Sequence, residues 1–354
     1  MADIPEMEIP MQEMVDFLVT LLNTPSPTGY YDEVVRLIEN AFSRLEVPGL
    51  EITRTQKGAL ILQWKGFFSD APRGLTAHVD TLGLMVKEIK SNGTLRFARL
   101  GGITLNGIET ENVTVRTFDG REYRGTVLMN NPSSHVNEKL TKSDRNEENM
   151  EIRLDNKTTN AEMTRNLGIN VGDFVFVDPR VDLVDTGYIK SRFLDDKACI
   201  AILYGVLKAM KLAGARPAQD TTILIANYEE VGHGGAHGWP DNLAELLVLD
   251  MAAIGTGQAS DEHSCTICAK DSGGPYHFEM MRKLRQLSEK YEIPVKIDIY
   301  PYYSSDGTAY WRAGGGARVG LIGPGVASSH SYERTHRDAL YWTAQLTARY
   351  LLEP

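Results

Sequence analysis

The chain has 354 residues, 42% hydrophobic and 24% charged, which suits a soluble globular protein of two structural units or one large α/β domain. Its 47 Asp and Glu outnumber its 37 Lys and Arg, for a formal net charge of −10, and this argues against the basic surface of a nucleic-acid-binding protein. No apolar run approaches the ~20 residues of a membrane-spanning helix, the acidic start MADIPEMEIP lacks the basic and apolar parts of a signal peptide, and Cys199, Cys265 and Cys268 are too few for a disulfide scaffold. A cytoplasmic protein with no membrane and no nucleic-acid partner is expected.

In chain order, Met11, Met14, Val15, Leu18, Leu21 and Leu22 recur at helical spacing, and so do Val34, Val35, Leu37, Ile38, Phe42 and Leu45. Two amphipathic helices are therefore predicted within residues 1–46, joined by the loop TPSPTG. GALILQW (58–64) and GLTAHVD (74–80) read as short buried strands. The texture then changes to β-rich runs, LGLMVKEI, TLRFARL, NVTVRTF, YRGTVLM and DFVFVDP, separated by turn signals such as SNG and FDG. These predict a small β-barrel or sandwich. Within it, residues 138–157 carry eleven charged side chains among twenty, which reads as solvated loop for much of that length.

After about residue 184, strand and helix alternate. DDKACIAILYGVLKAMKLAG reads as a buried helix, TTILIANY, ELLVLD and SCTICAKD as strands, FEMMRKLRQLSEKY as a helix, VKIDIY and ARVGLIG as strands, and DALYWTAQLTARYLLEP as the closing helix. Such alternation predicts an α/β fold with a mostly parallel sheet and helices on both faces. The expected organisation is a discontinuous α/β domain, 1–83 and 184–354, interrupted by an inserted small β-barrel domain, 84–183.

Open parallel sheets bind ligands beyond the carboxyl ends of their strands. His78 and Asp80 follow GLTA, Asp195 and Asp196 sit in FLDDK ahead of a helix, and Glu229 and Glu230 follow TTILIANY. Asp250 ends ELLVLD, and His330 follows ARVGLIGPGVASS. Each has an ordinary reading alone: a single His after a strand is most often a hydrogen-bonded histidine, and paired acids suit a helix N-terminus. Together, at successive strand ends, the imidazoles and carboxylates make a ligand set for a borderline metal such as Zn²⁺ or Co²⁺. Cys265 and Cys268 form one CxxC with no second pair and read as buried strand. His233 and His237, among the glycines of GHGGAHG, read as loop histidines near a pocket. Phosphate-binding GxxxxGK[ST] and GxGxxG motifs and a GxSxG nucleophile turn are absent.

At these residues the sequence resembles the tetrahedral (glutamyl/deblocking) aminopeptidases, a family of co-catalytic dinuclear metallo-aminopeptidases. HVDTLGLMV matches that family's HxDxxGxxV, LDDK its LDD[RN], EEVGHGG its EE-V-G, VLDMA its strand-closing Asp and HSYE its HS-x-E. The pieces keep the family's order over almost the whole chain, and DGREYRGTVLMNNPSSH and INVGDFVFVD resemble parts of its inserted β unit. The resemblance implies a zinc-peptidase-like fold with 84–183 as a dimerisation domain, and two divalent metal ions, zinc or cobalt, sharing a carboxylate. It would make Asp195 the bridge, with His78 and Asp250 completing one site and Glu230 and His330 the other. Asp80 would orient the His78 ring, and Glu229 would be the general base. The implied activity is removal of N-terminal residues from short peptides by a metal-activated water, in a homo-oligomer of dimers forming a twelve-subunit tetrahedron. A related metal-dependent carboxypeptidase or deacylase, and a non-catalytic peptide-binding scaffold, are the alternatives. The chain departs from the family pattern at Lys197, at His233 and His237, and at Ala327-Ser328-Ser329; the last two places bear on side-chain preference.

Overall fold

The structure, a computed structural model, describes residues 7–354, so the reading of the acidic start as no signal peptide falls mainly on residues outside the described ones. Helix α1 (Met11–Leu22) buries Met14, Val15, Leu18, Leu21 and Leu22, and α2 (Asp32–Arg44) buries Val34, Val35, Ile38 and Phe42. The three- and four-residue spacing of these side chains gathers them into one apolar stripe per helix. Three strands follow, β1 (Leu50–Arg54), β2 (Leu60–Trp64) and β3 (Phe68–His78).

The chain then leaves this sheet. β4 (Gly83–Ile89), β5 (Leu95–Leu100), β6 (Asn112–Arg116), β7 (Glu122–Met129), β8 (Met150–Leu154) and, after α3 (Ala161–Asn166), β9 (Phe174–Val177) close into a barrel in the order β4-β5-β8-β7-β6-β9. Alternate residues point inward, the period of two that strand geometry imposes; Val86, Phe97, Val113, Val127, Ile152 and Val175 lie in a core of their own. β8 forms inside the segment expected to be largely solvated loop. Its Ile152 pairs with Leu95 and Val127 and is buried, while its buried Glu151 is paired with Lys90 and Arg153. The flanking charges had hidden a short strand whose alternate residues complete the barrel.

The remaining elements are β10 (Asp182–Leu183), β11 (Tyr188–Ser191), α4 (Leu194–Leu212), β12 (Gln219–Ala226), β13 (Glu245–Leu249), β14 (Ala252–Ile254), β15 (Cys265–Lys270), α5 (Phe278–Lys290), β16 (Val295–Ile299), α6 (Asp306–Arg312), β17 (Arg318–Ala327), β18 (Glu333–His336) and α7 (Arg337–Leu352). The large sheet has 12 strands, with the path β1-β2-β12-β3-β13-β17-β18-β11-β10. Its centre, β12-β3-β13-β17, is parallel, and the flanks β1-β2 and β18-β11-β10 are antiparallel. ELLVL of β13 is buried throughout, as a strand covered on both faces must be. Leu247 and Leu249 join the core under α1, α4 and α7, whereas Leu246 and Val248 join Tyr310 of α6. Helices therefore cover both faces. Among the described residues no helix is long and apolar enough to cross a membrane.

Glu245, buried at the start of β13, faces Arg73, Lys283 and Arg318 and accepts the Tyr350 hydroxyl, tying β3, β17, α5 and α7 to one carboxylate. At the opposite end of the same strands the topology sets the ends of β12, β3 and β13 side by side, with His78 paired to Ala226 across β3 and β12.

Candidate active site

His78 closes β3, Glu229 and Glu230 lie in a single 3-10 turn after β12, Asp250 directly follows β13, and Asp195 sits in the distorted first turn of α4. Close backbone approach holds these ends together. The Asp250 N–H donates to Ile322 O at 3.0 Å, and a Cβ on Gly323 would lie 1.7 Å from the Asp250 carbonyl oxygen, so only glycine lets β17 pass there. Phe193, Tyr228, Ser328 and His330, beside or within the cluster, have φ of 72°, 72°, 59° and 66°. Such conformations cost on the order of 1–3 kcal/mol each and persist where surrounding structure fixes them.

His78 Nε2 is 3.2 Å from Asp195 Oδ1 and 3.8 Å from Glu229 Oε2. His330 Nε2 is 3.6 Å from both Asp195 Oδ2 and Glu230 Oε2. Donor atoms of His78, Asp195 and Asp250 lie within 4.8 Å of one another, and so do those of Asp195, Glu230 and His330. Asp195 belongs to both groups and turns one oxygen toward each imidazole. Tetrahedral ligands bonded to zinc at ~2.0–2.2 Å stand ~3.4 Å apart, so these separations fit divalent ions.

Both rings are held from behind. His78 Nδ1 donates to the Asp80 carbonyl oxygen at 3.0 Å, and His330 Nδ1 donates to Gly102 O at 3.1 Å. A carbonyl can only accept, so Nδ1 carries the proton and Nε2 offers its lone pair to the cluster. Asp80 therefore meets the His78 ring through its main-chain oxygen as well as standing beside it with its carboxylate. Its carboxylate, 3.6 Å from the ring, also accepts the Thr28 hydroxyl at 2.7 Å, Glu229 N–H at 3.1 Å and Glu230 N–H at 3.3 Å. The main-chain oxygen orients His78, while the side chain passes beneath the Glu229-Glu230 turn. Glu333 works similarly at the other side, accepting the N–H groups of Asp195 and His330, both at 3.2 Å; Ser329 donates to Asp195 Oδ2 at 3.0 Å.

Burial pushes the carboxyls of Glu229, Glu230, Asp250 and Glu333 well above the usual carboxylate range, and neighbouring anions push them further. Burial takes Asp306, which accepts Gly235 N–H, up to about 7. Burial would lower the His78 pKa, but Asp195 and Asp80 outweigh it and hold the imidazole well above its ordinary value; His78 in turn outweighs burial at Asp195 and keeps that carboxyl low. Glu230 Oε1, Asp196 Oδ1 and Asp306 Oδ2 are buried without a hydrogen-bond partner. So many buried anions facing one point are costly unless cations balance them. The donor set and its unpaired oxygens fit bound divalent metal.

All the residues singled out in the sequence, His78, Asp80, Asp195, Glu229, Glu230, Asp250 and His330, thus meet in one cluster. A cavity of about 170 Å³ opens onto it, lined by Asp195, Glu229, Glu230, Asp250, Tyr303 and His330, among others. Gly232 reaches the cavity; His233 and His237 do not, and the His233 ring stacks on Tyr228 with centroids 5.2 Å apart. Lys197 is a structural residue: buried, its pKa pushed down to about 7, it donates to the carbonyls of Leu21 and Thr24 at the end of α1. Cys265 and Cys268 are buried in β15. Sequence reasoning assigned no role to Glu333, Asp306 or Tyr303; Glu333 at least stood within the HSYE motif. His263, His336 and Asp338 also bring ligand atoms together at the surface. There, however, His336 caps α7, accepting Asp338 N–H at Nδ1 and donating to Thr186 O from Nε2, so both its nitrogens are taken.

The chain matches the M42 glutamyl aminopeptidase family over residues 58–346. It is 45% identical over 344 residues to the Bacillus subtilis protein named "Putative aminopeptidase YhfE", covering 97% of this chain and 99% of that one. The structure is similar to that of an aminopeptidase from the archaeon Desulfurococcus kamchatkensis, with a TM-score of 0.85 at 22% identity over 97% of this chain and 96% of that chain. It is also similar to the Pyrococcus horikoshii TET1 peptidase, which assembles into a tetrahedron or a large octahedral shell, with a TM-score of 0.81 at 20% identity over 96% and 100% of the two chains.

Proposed function

The chain belongs to the M42 glutamyl aminopeptidase family and is a peptidase hydrolase, and from that premise we propose that it removes N-terminal residues from short peptides by a water activated between two divalent metal ions. His78, Asp195 and Asp250 would hold one ion, and Asp195, Glu230 and His330 the other. The observation that best supports this reading is the shared carboxylate, with Asp195 Oδ1 3.2 Å from one imidazole and Oδ2 3.6 Å from the other. When bound, the ions lower the pKa of a shared water and polarise the scissile carbonyl.

Glu229 is the general base in this reading. Its buried carboxyl has a raised proton affinity, so it can take the water's proton and return it to the leaving nitrogen. Asp80 fixes its backbone through the Glu229 N–H. The cavity wall favours an aminopeptidase over a carboxypeptidase: Asp195, Glu229, Glu230 and Asp250 line it and neither Lys nor Arg does, so it suits a cationic α-amino group better than an anionic C-terminus. Zinc and cobalt both suit the His and carboxylate donors. The assembly is a cytoplasmic homo-oligomer, a dodecamer built from dimers joined through the barrel unit, whose closed shell admits only small peptides.

The test is chelation followed by metal return, with free-amine and N-acetylated peptides as paired substrates. Activity should vanish with the chelator, return with Zn²⁺ or Co²⁺, and require the free amine. Full turnover by protein shown to be metal-free by elemental analysis would overturn the metal reading. Equal hydrolysis of the acetylated peptide would overturn the aminopeptidase assignment in favour of a deacylase or endopeptidase.

A further inference from the structure

The scheme above supplies acceptors, a base and metal ligands, yet peptide hydrolysis also develops negative charge on the scissile carbonyl oxygen. Donors aimed at that oxygen are commonly the largest single contribution to rate. The side chains that dominate the cavity wall, Asp195, Glu229, Glu230 and Asp250, are acceptors when ionised. Tyr303 differs. It lines the same cavity, in the PYYSS segment between β16 and α6.

Two features hold it in place. The Tyr303 carbonyl accepts both the Ser272 N–H at 2.8 Å and the Ser272 hydroxyl at 2.6 Å. Its ring packs on buried Tyr300 with centroids 5.3 Å apart. The phenol oxygen is buried beside the Asp250 carboxylate and makes no hydrogen bond of ordinary length and angle. Leaving a buried hydroxyl unpaired costs ~1–3 kcal/mol, and an acceptor arriving in the cavity would remove that cost. A phenol carries one O–H donor, which the carboxylates around it lack when ionised.

We propose that Tyr303 is a catalytic residue whose hydroxyl donates a hydrogen bond to the oxyanion formed on the scissile carbonyl. The proposal rests on the metallo-aminopeptidase reading and adds a residue to it. As the water oxygen bonds to the carbonyl carbon, the C=O π pair moves to oxygen, and the Tyr303 O–H meets that charge without giving up its proton. When the pair returns, the C–N bond breaks and the leaving nitrogen takes the proton held by Glu229. A merely structural Tyr303 would instead act through Asp250, and the two cases separate experimentally.

The test compares full-length wild type with Tyr303→Phe for metal content by elemental analysis, for kcat and KM, and for calorimetric affinity toward a phosphonate dipeptide analogue and the product amino acid. The phosphonate imitates the tetrahedral oxyanion; the product does not. Tyr303→Phe should keep wild-type metal content and KM, lose kcat by ~10²–10³, and bind the phosphonate weaker by a similar factor while binding the product normally. Loss of metal would overturn the proposal and make Tyr303 a support for Asp250. Unchanged kcat and phosphonate affinity in a wild-type background that is chelator-sensitive and free-amine-specific would overturn this proposal alone. A wild type lacking those two properties would overturn the underlying reading as well.

Discussion

Replacing Asp80 with Asn keeps the side chain's size and removes its charge, at a position with 0% exposure where no water can compensate. Oδ1 accepts Glu229 N–H at 3.1 Å and stands 3.6 Å from His78 Nδ1; Oδ2 accepts the Thr28 hydroxyl at 2.7 Å and Glu230 N–H at 3.3 Å. An amide has one acceptor oxygen. Facing it toward Thr28 and Glu230 preserves two bonds and sets the NH₂ against the Glu229 N–H, donor against donor. A hydrogen bond to a charged group contributes ~1.5–3 kcal/mol, and a buried unsatisfied donor costs ~1–3 kcal/mol, so the variant should lose ~2–5 kcal/mol in chemical unfolding. The kinetic loss should centre on the base. Turnover should fall ~10–100-fold, the usual cost of removing a supporting partner, with metal content close to wild type because the Asp80 main-chain oxygen still holds His78 Nδ1. Unfolding curves, elemental analysis and initial rates read the three quantities. A variant that folds stably but loses metal would return the carboxylate to the role of orienting the ring. One matching wild type in all three would refute the reasoning.

Glu230→Gln replaces an anionic donor with a weaker neutral one, so metal occupancy should drop and excess Zn²⁺ or Co²⁺ should restore part of the rate; unchanged occupancy by elemental analysis would remove Glu230 from the ligand set. Light scattering at micromolar concentration should report a large closed assembly, and a monomer would contradict it. Glu245→Gln should destabilise by ~3–5 kcal/mol at neutral pH, because it leaves Arg73, Lys283 and Arg318 without their shared buried partner. Lys283, Arg73 and Arg318, against the opposing effect of burial, hold the Glu245 carboxyl below its ordinary range. Its contribution is therefore present above the unfolded value of ~4.3 and lost as pH falls through the lower folded value. The gap between wild type and Glu245→Gln should close below about pH 4; a gap constant with pH would refute the ionic account.

The parallel centre of the sheet was legible because β12, β3, β13 and β17 are near-continuous apolar runs, and polar residues that directly follow such runs must gather at one edge. That is why His78, Glu229, Glu230 and Asp250 could be named together. The antiparallel flanks were harder, since β10, β11 and β18 span two to four residues each and carry no period long enough to detect. β8 was hidden by the charges around Ile152. Residue identity alone does not say that the Asp80 main-chain oxygen, as well as its carboxylate, faces the imidazole. Tyr303 comes from the irregular link between β16 and α6 and Asp306 from the first turn of α6, where position depends on tertiary contacts such as those to Ser272 and Gly235.

The central claim is that Glu229 moves the proton while its neighbour Glu230 holds metal, and Glu229→Gln tests it most directly. The substitution keeps size and hydrogen bonding and removes basicity. Single-turnover rates and elemental analysis on the same preparation should show both metals retained and turnover reduced by ~10²–10⁴. A Glu229→Gln protein that loses metal, or one that turns over peptide at the wild-type rate, would contradict the account.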